Sequence, residues 1–313
     1  VKIARGLGTL SPELGRSVVT VGFFDGVHAG HVRVLQRTVE AARERGLRSV
    51  AVTFDRHPRE VLTPGSAPRL LTSVDRKAAL IEATGIDVLL VLEFTHEFSL
   101  QLAEDFARQV LAEGLRAEHV VMGANFTFGH RAAGSVDLLV ERGPSIGFTA
   151  ERVQLVELDG RRVSSSSIRD ALSAGDLEWP TRALGRRFVL DGTVVAGAGR
   201  GYELGYPTAN LRTGPRLLLP ARGIYAGRAN ADGIDRPAAI DVGTNPTFGT
   251  EPLHAEAYLL DFDGDLVGRN MAVEFWARLR DEEKFETSEQ LAAAMAEDVR
   301  RTREIVLSAR SGP

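Results

Sequence analysis

From Ser17 to about Gly160, short β-branched runs alternate with amphipathic stretches, and nothing else in the chain narrows its fold as much. The alternation reads as a parallel sheet covered by helices, an α/β architecture. Strands are expected at Ser17–Phe24, Arg48–Phe54, Asp87–Leu92, His119–Met122 and Phe148–Leu158. Within residues 31–45, Val32, Leu35, Val39 and Ala42 recur at spacings of three and four and leave Arg33, Arg37, Glu40 and Arg43 for solvent. That spacing predicts a helix, and Gly46 supplies its stop.

At Asp176–Arg187 (DLEWPTRALGRR) the pattern changes, which divides the chain into an α/β domain at 1–183 and a second domain at 184–313. Beyond the boundary, Phe188–Val195, Ile224–Ala229, Ala238–Val242, His254–Leu260 and Met271–Ala277 are separated by Gly, Pro, Asn and Asp turns. Without helical periodicity between them, these runs suggest a small antiparallel β-barrel. A final helix from about Thr287 to Leu307 opens with a capping box, Thr287 and Gln290, and turns Leu291, Met295, Val299 and Val306 to the barrel. Residues from Ser308 to Pro313 read as a loose tail.

Two domains suit 313 residues, and 43% hydrophobic with 26% charged residues is ordinary for globular chains. A net charge of −4 offers no general field for nucleic acid or an acidic bilayer, so any recognition of phosphate must be local. The absence of cysteine excludes disulfides and thiolate sites and fits a reducing compartment. No apolar run approaches the roughly 18 residues of a membrane span, and no basic-then-apolar leader is present, so a cytoplasmic location is expected. The chain opens on Val1 rather than Met, which implies a trimmed start or an unusual start codon. Oligomeric state is open.

Gly22–His31 (GFFDGVHAGH) joins a strand to a helix through a glycine-rich turn. Unpaired N–H groups at the helix start, with Gly26 and Gly30 leaving room, suit a phosphate. His28 and His31 add donors that can stabilise charge on a triphosphate. Alternatives are a zinc site, which lacks a nearby third ligand, and a turn kept for packing alone. His57 (FDRHP) falls at the C-terminal edge of the same sheet, where it is either a ligand or a loop residue. Gly123–Gly134 (GANFTFGHRAAG) offers Asn125 and the faces of Phe126 and Phe128, unless the aromatics fill core. In Arg162–Arg169 (RVSSSSIR), Ser164, Ser165 and Ser166 open a helix between Arg162 and Arg169, as a phosphate clamp or an ordinary N-cap.

In the second domain, Gly192–Asn210 (GTVVAGAGRGYELGYPTAN) contains Gly199, Gly201 and Gly205 and ends in Thr208 and Asn210. Its backbone can fold over phosphates, and those two oxygens suit a hard cation such as Mg²⁺; a flexible linker is the alternative. Asp241–Phe248 (DVGTNPTF) precedes the strand that carries Glu256. A carboxylate beside Mg²⁺-ATP can accept a hydroxyl proton during phosphoryl transfer, though an arbitrary strand glutamate faces solvent.

The order H-x-G-H, F-x-x-H-P, G-x-N-F-x-F-G and S-S-S-x-I-R resembles the nucleotidyltransferase superfamily and, within it, the FMN adenylyltransferase module of bacterial bifunctional riboflavin kinase/FAD synthetases. The resemblance implies a Rossmann-like domain in which His28, His31 and Ser164–Ser166 hold ATP, with Gly26, Gly30, His57, Arg162 and Arg169 nearby. It implies that Phe54, Asn125, Phe126 and Phe128 position FMN, with Asn125 also catalytic, for in-line attack on the α-phosphate and loss of pyrophosphate. Arg56 departs from the usual F-x-P-H-P. The run G-Y-P-T-A-N, then P-A-R-G-I-Y-A at 220–226, then G-T-N-P-T-F and the Glu-bearing strand, resembles riboflavin kinase, as does Phe275–Phe285. This implies Gly199, Gly201, Gly205 and Pro207 around ATP, Thr208 and Asn210 at Mg²⁺ and phosphates, and Glu256 as base toward the ribityl 5′-hydroxyl. Asp241 stands where serine or asparagine is usual. The implied chemistry is riboflavin to FMN on the barrel and FMN to FAD in the α/β domain, with one ATP·Mg²⁺ each. Alternatives are adenylylation of another acceptor and a flavin-binding protein without turnover.

Overall fold

In the computed structural model, which describes residues 1–11, 14–197, 205–244 and 253–308, the β-branched runs of the first domain become strands buried on both faces. The chain divides into two units, Val1–Pro68 with Val74–Ser164 and Arg69–Ser73 with Ser165–Pro313.

The first unit runs β1 (Lys2–Arg5), β2 (Ser17–Val21), α1 (Ala29–Arg45), β3 (Arg48–Phe54), α2 (Pro58–Leu62), α3 (Val74–Glu82) and β4 (Val88–Leu92). It continues through α4 (His96–Ser99), α5 (Ala103–Asp105), a π-helix (Phe106–Gly114), β5 (Ala117–Gly123), β6 (Thr127–Phe128), β7 (Gly134–Ser135), α6 (Val136–Ile146), β8 (Thr149–Val153), β9 (Glu157–Leu158) and β10 (Arg161–Arg162). Six strands form one parallel sheet in the order β1-β4-β3-β2-β5-β8. Val19 and Val21 join the core on one face and Val18 the core on the other, as a period of two requires. From β2 the chain first builds toward β3 and β4 and later returns to β5 on the other side. The order therefore reverses between β2 and β5, and open α/β sheets take ligands beyond the carboxyl ends of the strands at such a point.

The second unit carries α7 (Ser165–Ser173) and α8 (Glu178–Leu184), then β11 (Phe188–Val195), β12 (Ala209–Thr213), β13 (Gly223–Ala231), β14 (Ile234–Gly243), β15 (His254–Leu259), β16 (Asn270–Arg280) and α9 (Ser288–Ser308). The six strands close into an antiparallel barrel in the order β11-β12-β15-β14-β13-β16, which leaves no free edge. Ala255, Ala257 and Leu259 on β15, and Met271, Val273 and Phe275 on β16, are buried, alternating with more exposed neighbours. Tyr225 and Phe275 meet edge to face at 5.3 Å.

Several elements differ from expectation for local reasons. β2 stops at Val21, three residues early, because the backbone turns sharply after Gly22. The run 148–158 breaks into β8 and β9. β1 is a four-residue edge strand with one buried position, too short to show a period. β12 lies in what reads as a loop. α9 buries Asp298, Thr302 and Val306, four residues apart, whereas Leu291, Met295 and Val299 are only half-buried. Asp298 is there to meet Arg280 at 2.8 Å. Its cap is a variant of the box: Thr287 Oγ1 accepts the Gln290 N–H at 3.3 Å, but Gln290 Oε1 accepts from Glu286, one residue before the cap, at 3.1 Å.

Candidate functional site

β2 hands the chain to a turn that ordinary residues resist. Phe24 and Val27 have φ of 53° and 38°, with Gly26 between them at 79°. Positive φ costs a residue with a Cβ on the order of 1–3 kcal/mol, and a β-branched valine is the least suited. The turn persists because its surroundings hold it. Phe24 and Val27 are buried with Leu35 and Val39, and Gly22 makes room, since a Cβ there would meet the Phe24 ring at 2.8 Å.

His28 ends the turn as the N-cap of α1, its Nδ1 accepting the His31 N–H at 3.3 Å. An acceptor at Nδ1 places the proton of the neutral ring on Nε2. The two imidazoles stack with centroids 3.6 Å apart. Gly30 permits this, because a Cβ there would press within 3.2 Å of the His28 ring and lie 3.9 Å from the Val163 carbonyl. The same closeness brings the segment ending at Ser164 beside the start of α1. Burial, then His28, then Lys77 hold the His31 imidazole well below its ordinary pKa, so it is neutral at pH 7. Its Nδ1 is buried without a hydrogen-bond partner among the described residues. The positive end of α1 and two stacked imidazoles thus meet at one place, suited to an anion.

At the end of β3, His57 caps α2, its Nδ1 accepting the Arg59 N–H at 3.1 Å while Glu60 Oε1 accepts the His57 N–H at 3.0 Å. Its ring meets Phe23 edge-on at 4.9 Å, so the structure brings His57 to the β2 turn. After β5, Asn125 is exposed on a tight turn, and Phe126 is half-buried and stacked on Phe128 at 5.8 Å. Phe54 and Phe128 lie in the core, each 8% exposed. Arg162 sits exposed on β10, whereas Ser165, Ser166 and Arg169 belong to α7 of the second unit.

Sequence reasoning missed Lys77. It is 4% exposed, on the stripe of α3 that buries Ala78 and Ile81, and its Nζ donates to Phe23 O, Thr53 Oγ1 and Phe54 O at 3.2, 3.1 and 3.3 Å. A lysine on an apolar stripe is the signal that could have found it.

On the barrel, Asn210, Glu256 and Asp241 are direct cross-strand partners on β12, β15 and β14 and therefore share a face. Glu256 Oε2 accepts the Thr208 hydroxyl at 2.8 Å, and its Oε1 lies 3.2 Å from His254 Nε2. A Cβ on Gly197 would overlap the Asn210 amide, which explains glycine there. Gly205 has φ of 80°, and Pro207 is exposed beside Thr208. Gly199, Gly201 and residues 245–248 lie outside the described residues.

The two units carry residue groupings of different design, and each family match falls largely on one unit. Residues 10–167 match the FAD synthetase family and residues 184–306 the riboflavin kinase family. A bifunctional riboflavin kinase/FMN adenylyltransferase from Pseudomonas fluorescens is 40% identical over 300 residues, covering 96% of each chain. The chain belongs to the bifunctional riboflavin kinase/FMN adenylyltransferase family. A relative of the same name from Escherichia coli strain K12 is 33% identical over 307 residues and covers 97% of each chain. A crystal structure described as a macrolide-efflux protein from Streptococcus pneumoniae is similar with a TM-score of 0.87 at 28% identity, covering 97% of this chain and 99% of that one. Among the described residues no helix is long and apolar enough to cross a membrane.

Arg56 and Asp241, the two departures from the motifs that the sequence otherwise resembles, differ in their surroundings. Arg56 turns to Asp55 at 2.7 Å and leaves the His57 cap intact. Asp241 is the more consequential. Burial, then Glu282, then Glu256 push its carboxyl from 3.8 to about 7, and its Oδ1 is buried without a hydrogen-bond partner among the described residues. A folded-state pKa above the unfolded one means that stability is lost as pH rises between these two values. Asp241→Asn is therefore expected to stabilise the protein at pH 8 by up to about 4 kcal/mol, at roughly 1.4 kcal/mol per pH unit, with little gain below pH 4. Urea unfolding followed by barrel fluorescence at both pH values checks this, and an equal effect at the two would contradict it.

Proposed function

We propose that riboflavin is phosphorylated on the barrel at Glu256, Thr208 and Asn210, and that FMN is adenylylated at the α1 terminus of the first unit. The chain is a bifunctional enzyme of flavin cofactor biosynthesis, converting riboflavin to FMN and FMN to FAD with ATP as co-substrate and pyrophosphate as the second product of the latter step. The observation that carries the kinase assignment is the Thr208–Glu256 hydrogen bond within the row Asn210–Glu256–Asp241. As the ribityl 5′-oxygen bonds to the γ-phosphorus and ADP leaves, Glu256 accepts the hydroxyl proton.

Among the described residues no cluster of three His, Cys, Asp or Glu could hold a metal on its own. Neutral oxygens from Thr208 and Asn210 instead fit Mg²⁺ held largely by ATP phosphates, and the Thr208 hydroxyl, by donating to Glu256, keeps its lone pairs for the ion. When bound, Mg²⁺ supplies neutralisation of phosphate charge. Gly199, Gly201, Gly205 and Pro207 are assigned to cover this ATP.

In the first unit, an FMN phosphate oxygen bonds to the α-phosphorus and the bridge to the β-phosphate breaks. The N–H groups of α1, His28 and His31 stabilise the charge this builds, with Gly26 and Gly30 giving access. His57, Arg162, Ser164, Ser165, Ser166 and Arg169 are assigned to ATP, and Asn125 and Phe126 to FMN, with Phe54 and Phe128 supporting from the core. The functional partition is placed at 183/184, and the cysteine-free, ATP-consuming chain is assigned to the cytoplasm. Incubation with riboflavin, ATP and Mg²⁺ should give FMN and then FAD on chromatography. Formation of neither flavin would overturn the reading.

A further inference from the structure

We propose that Lys77 is a positioning residue for adenylyl transfer, its buried ammonium fastening the strained turn that carries His28 and His31 to the end of β3 that carries His57. The inference rests on the assignment of adenylyl transfer to the first unit.

The geometry comes from where the sheet stops. Gly22 still pairs with Val52 through its N–H at 3.0 Å, and Asp55 with Leu92 at 3.0 Å. The register of β2 with β3 ends at Val21 and Val52, short of the carbonyls of Phe23 and Phe54. Lys77 reaches both, at 3.2 and 3.3 Å. Thr53 completes the knot by donating to Phe23 O at 3.1 Å and accepting from Lys77 at 3.1 Å. The ammonium also lies 4.4 Å from the centre of the Phe23 ring, whose other neighbour is the His57 ring. Phe23 is thus held by backbone and ring alike, immediately before Phe24 and Val27 take positive φ.

A buried lysine that served packing alone would be better replaced by methionine, since desolvating an ammonium is costly. Three acceptors converging on it show what the charge is for. Around it, Asp25 from the turn and Asp55 after β3 favour the charged form, Arg56 pairs with Asp55, and His31 on α1 is discouraged from protonating by Lys77. Burial outweighs the two aspartates and brings the Lys77 ammonium down to about 8. Above that pH the amine has two hydrogens for three acceptors.

The test uses the full chain, whose riboflavin kinase activity reports on folding. Lys77→Met should lower kcat/KM for FAD formation from FMN on the order of 10²-fold, as a displaced catalytic group does, with riboflavin phosphorylation within about twofold of the parent. In the parent, kcat/KM for FAD formation should fall above about pH 8. Lys77→Arg should retain part of the activity and lose this alkaline fall up to about pH 10, because a guanidinium stays charged. Should Lys77→Met lose both activities through misfolding, the Lys77→Arg profile decides. Unchanged FAD formation in Lys77→Met, or a parental alkaline limb in Lys77→Arg, would overturn the inference. A parent that makes no FAD would instead sink the assignment beneath it.

Discussion

Glu256→Gln is expected to slow riboflavin phosphorylation by about 10²–10⁴-fold, the range a positioned general base supplies, while adenylylation of added FMN continues. Glutamine keeps the shape of the side chain and an oxygen that can accept the Thr208 hydroxyl, now 2.8 Å away. It cannot take the ribityl proton. The loss should therefore fall on kcat with little change in KM for riboflavin, because ground-state contacts survive. Glu256→Ala is less informative, since it also strips Thr208 of its acceptor and disturbs the residues assigned to Mg²⁺-ATP. Following FMN from riboflavin and FAD from FMN in separate assays gives both rates. A kcat for phosphorylation near that of the parent would remove Glu256 from the role of base.

The parts of this molecule that could be read from its sequence are those whose cause is local. α1 and its stop at Gly46, where φ is 66°, follow from spacing and one glycine. Five of the six barrel strands follow from short runs between turns, whereas β12 sits in a stretch that reads as a loop. What stayed hidden depends on contacts between distant segments. Arg69–Ser73 belongs to the second unit through a bridge between Leu70 and Leu217 and a bond from Ser73 to Asp191 at 2.9 Å, with no pattern of its own. Lys77 gains its importance from carbonyls some 23 and 54 positions away. Asp241 was legible as an oddity but not as a strained group, because its carboxylate neighbours Glu256 and Glu282 come from elsewhere in the chain. The two glycines next to catalytic candidates teach a related lesson. Gly30 and Gly197 each make space for a neighbouring candidate side chain, His28 and Asn210, which only the folded chain shows.

Removing both imidazoles, as His28→Ala with His31→Ala, is expected to cost FAD formation about 10²–10³-fold per lost donor, the measured scale for hydrogen bonds aimed at developing charge. Riboflavin phosphorylation should be spared. The double variant confounds two effects, since His28 also caps α1 and an N-cap contributes about 1 kcal/mol. His28→Asn separates them: asparagine is a good N-cap, so α1 keeps its start while the imidazole is gone. If the ring acts on phosphate, His28→Asn should be nearly as slow as His28→Ala; if it only caps the helix, His28→Asn should recover. The pH dependence adds a second constraint, because burial keeps His31 neutral until well below its ordinary pKa. In the free enzyme, which kcat/KM reports, His31 then works as a neutral hydrogen-bonding ring throughout the physiological range. Lowering the pH from 8 to 6.5 should not raise kcat/KM through charging of His31. A histidine limb in that interval that disappears in His31→Gln would show instead that the imidazolium is the working form.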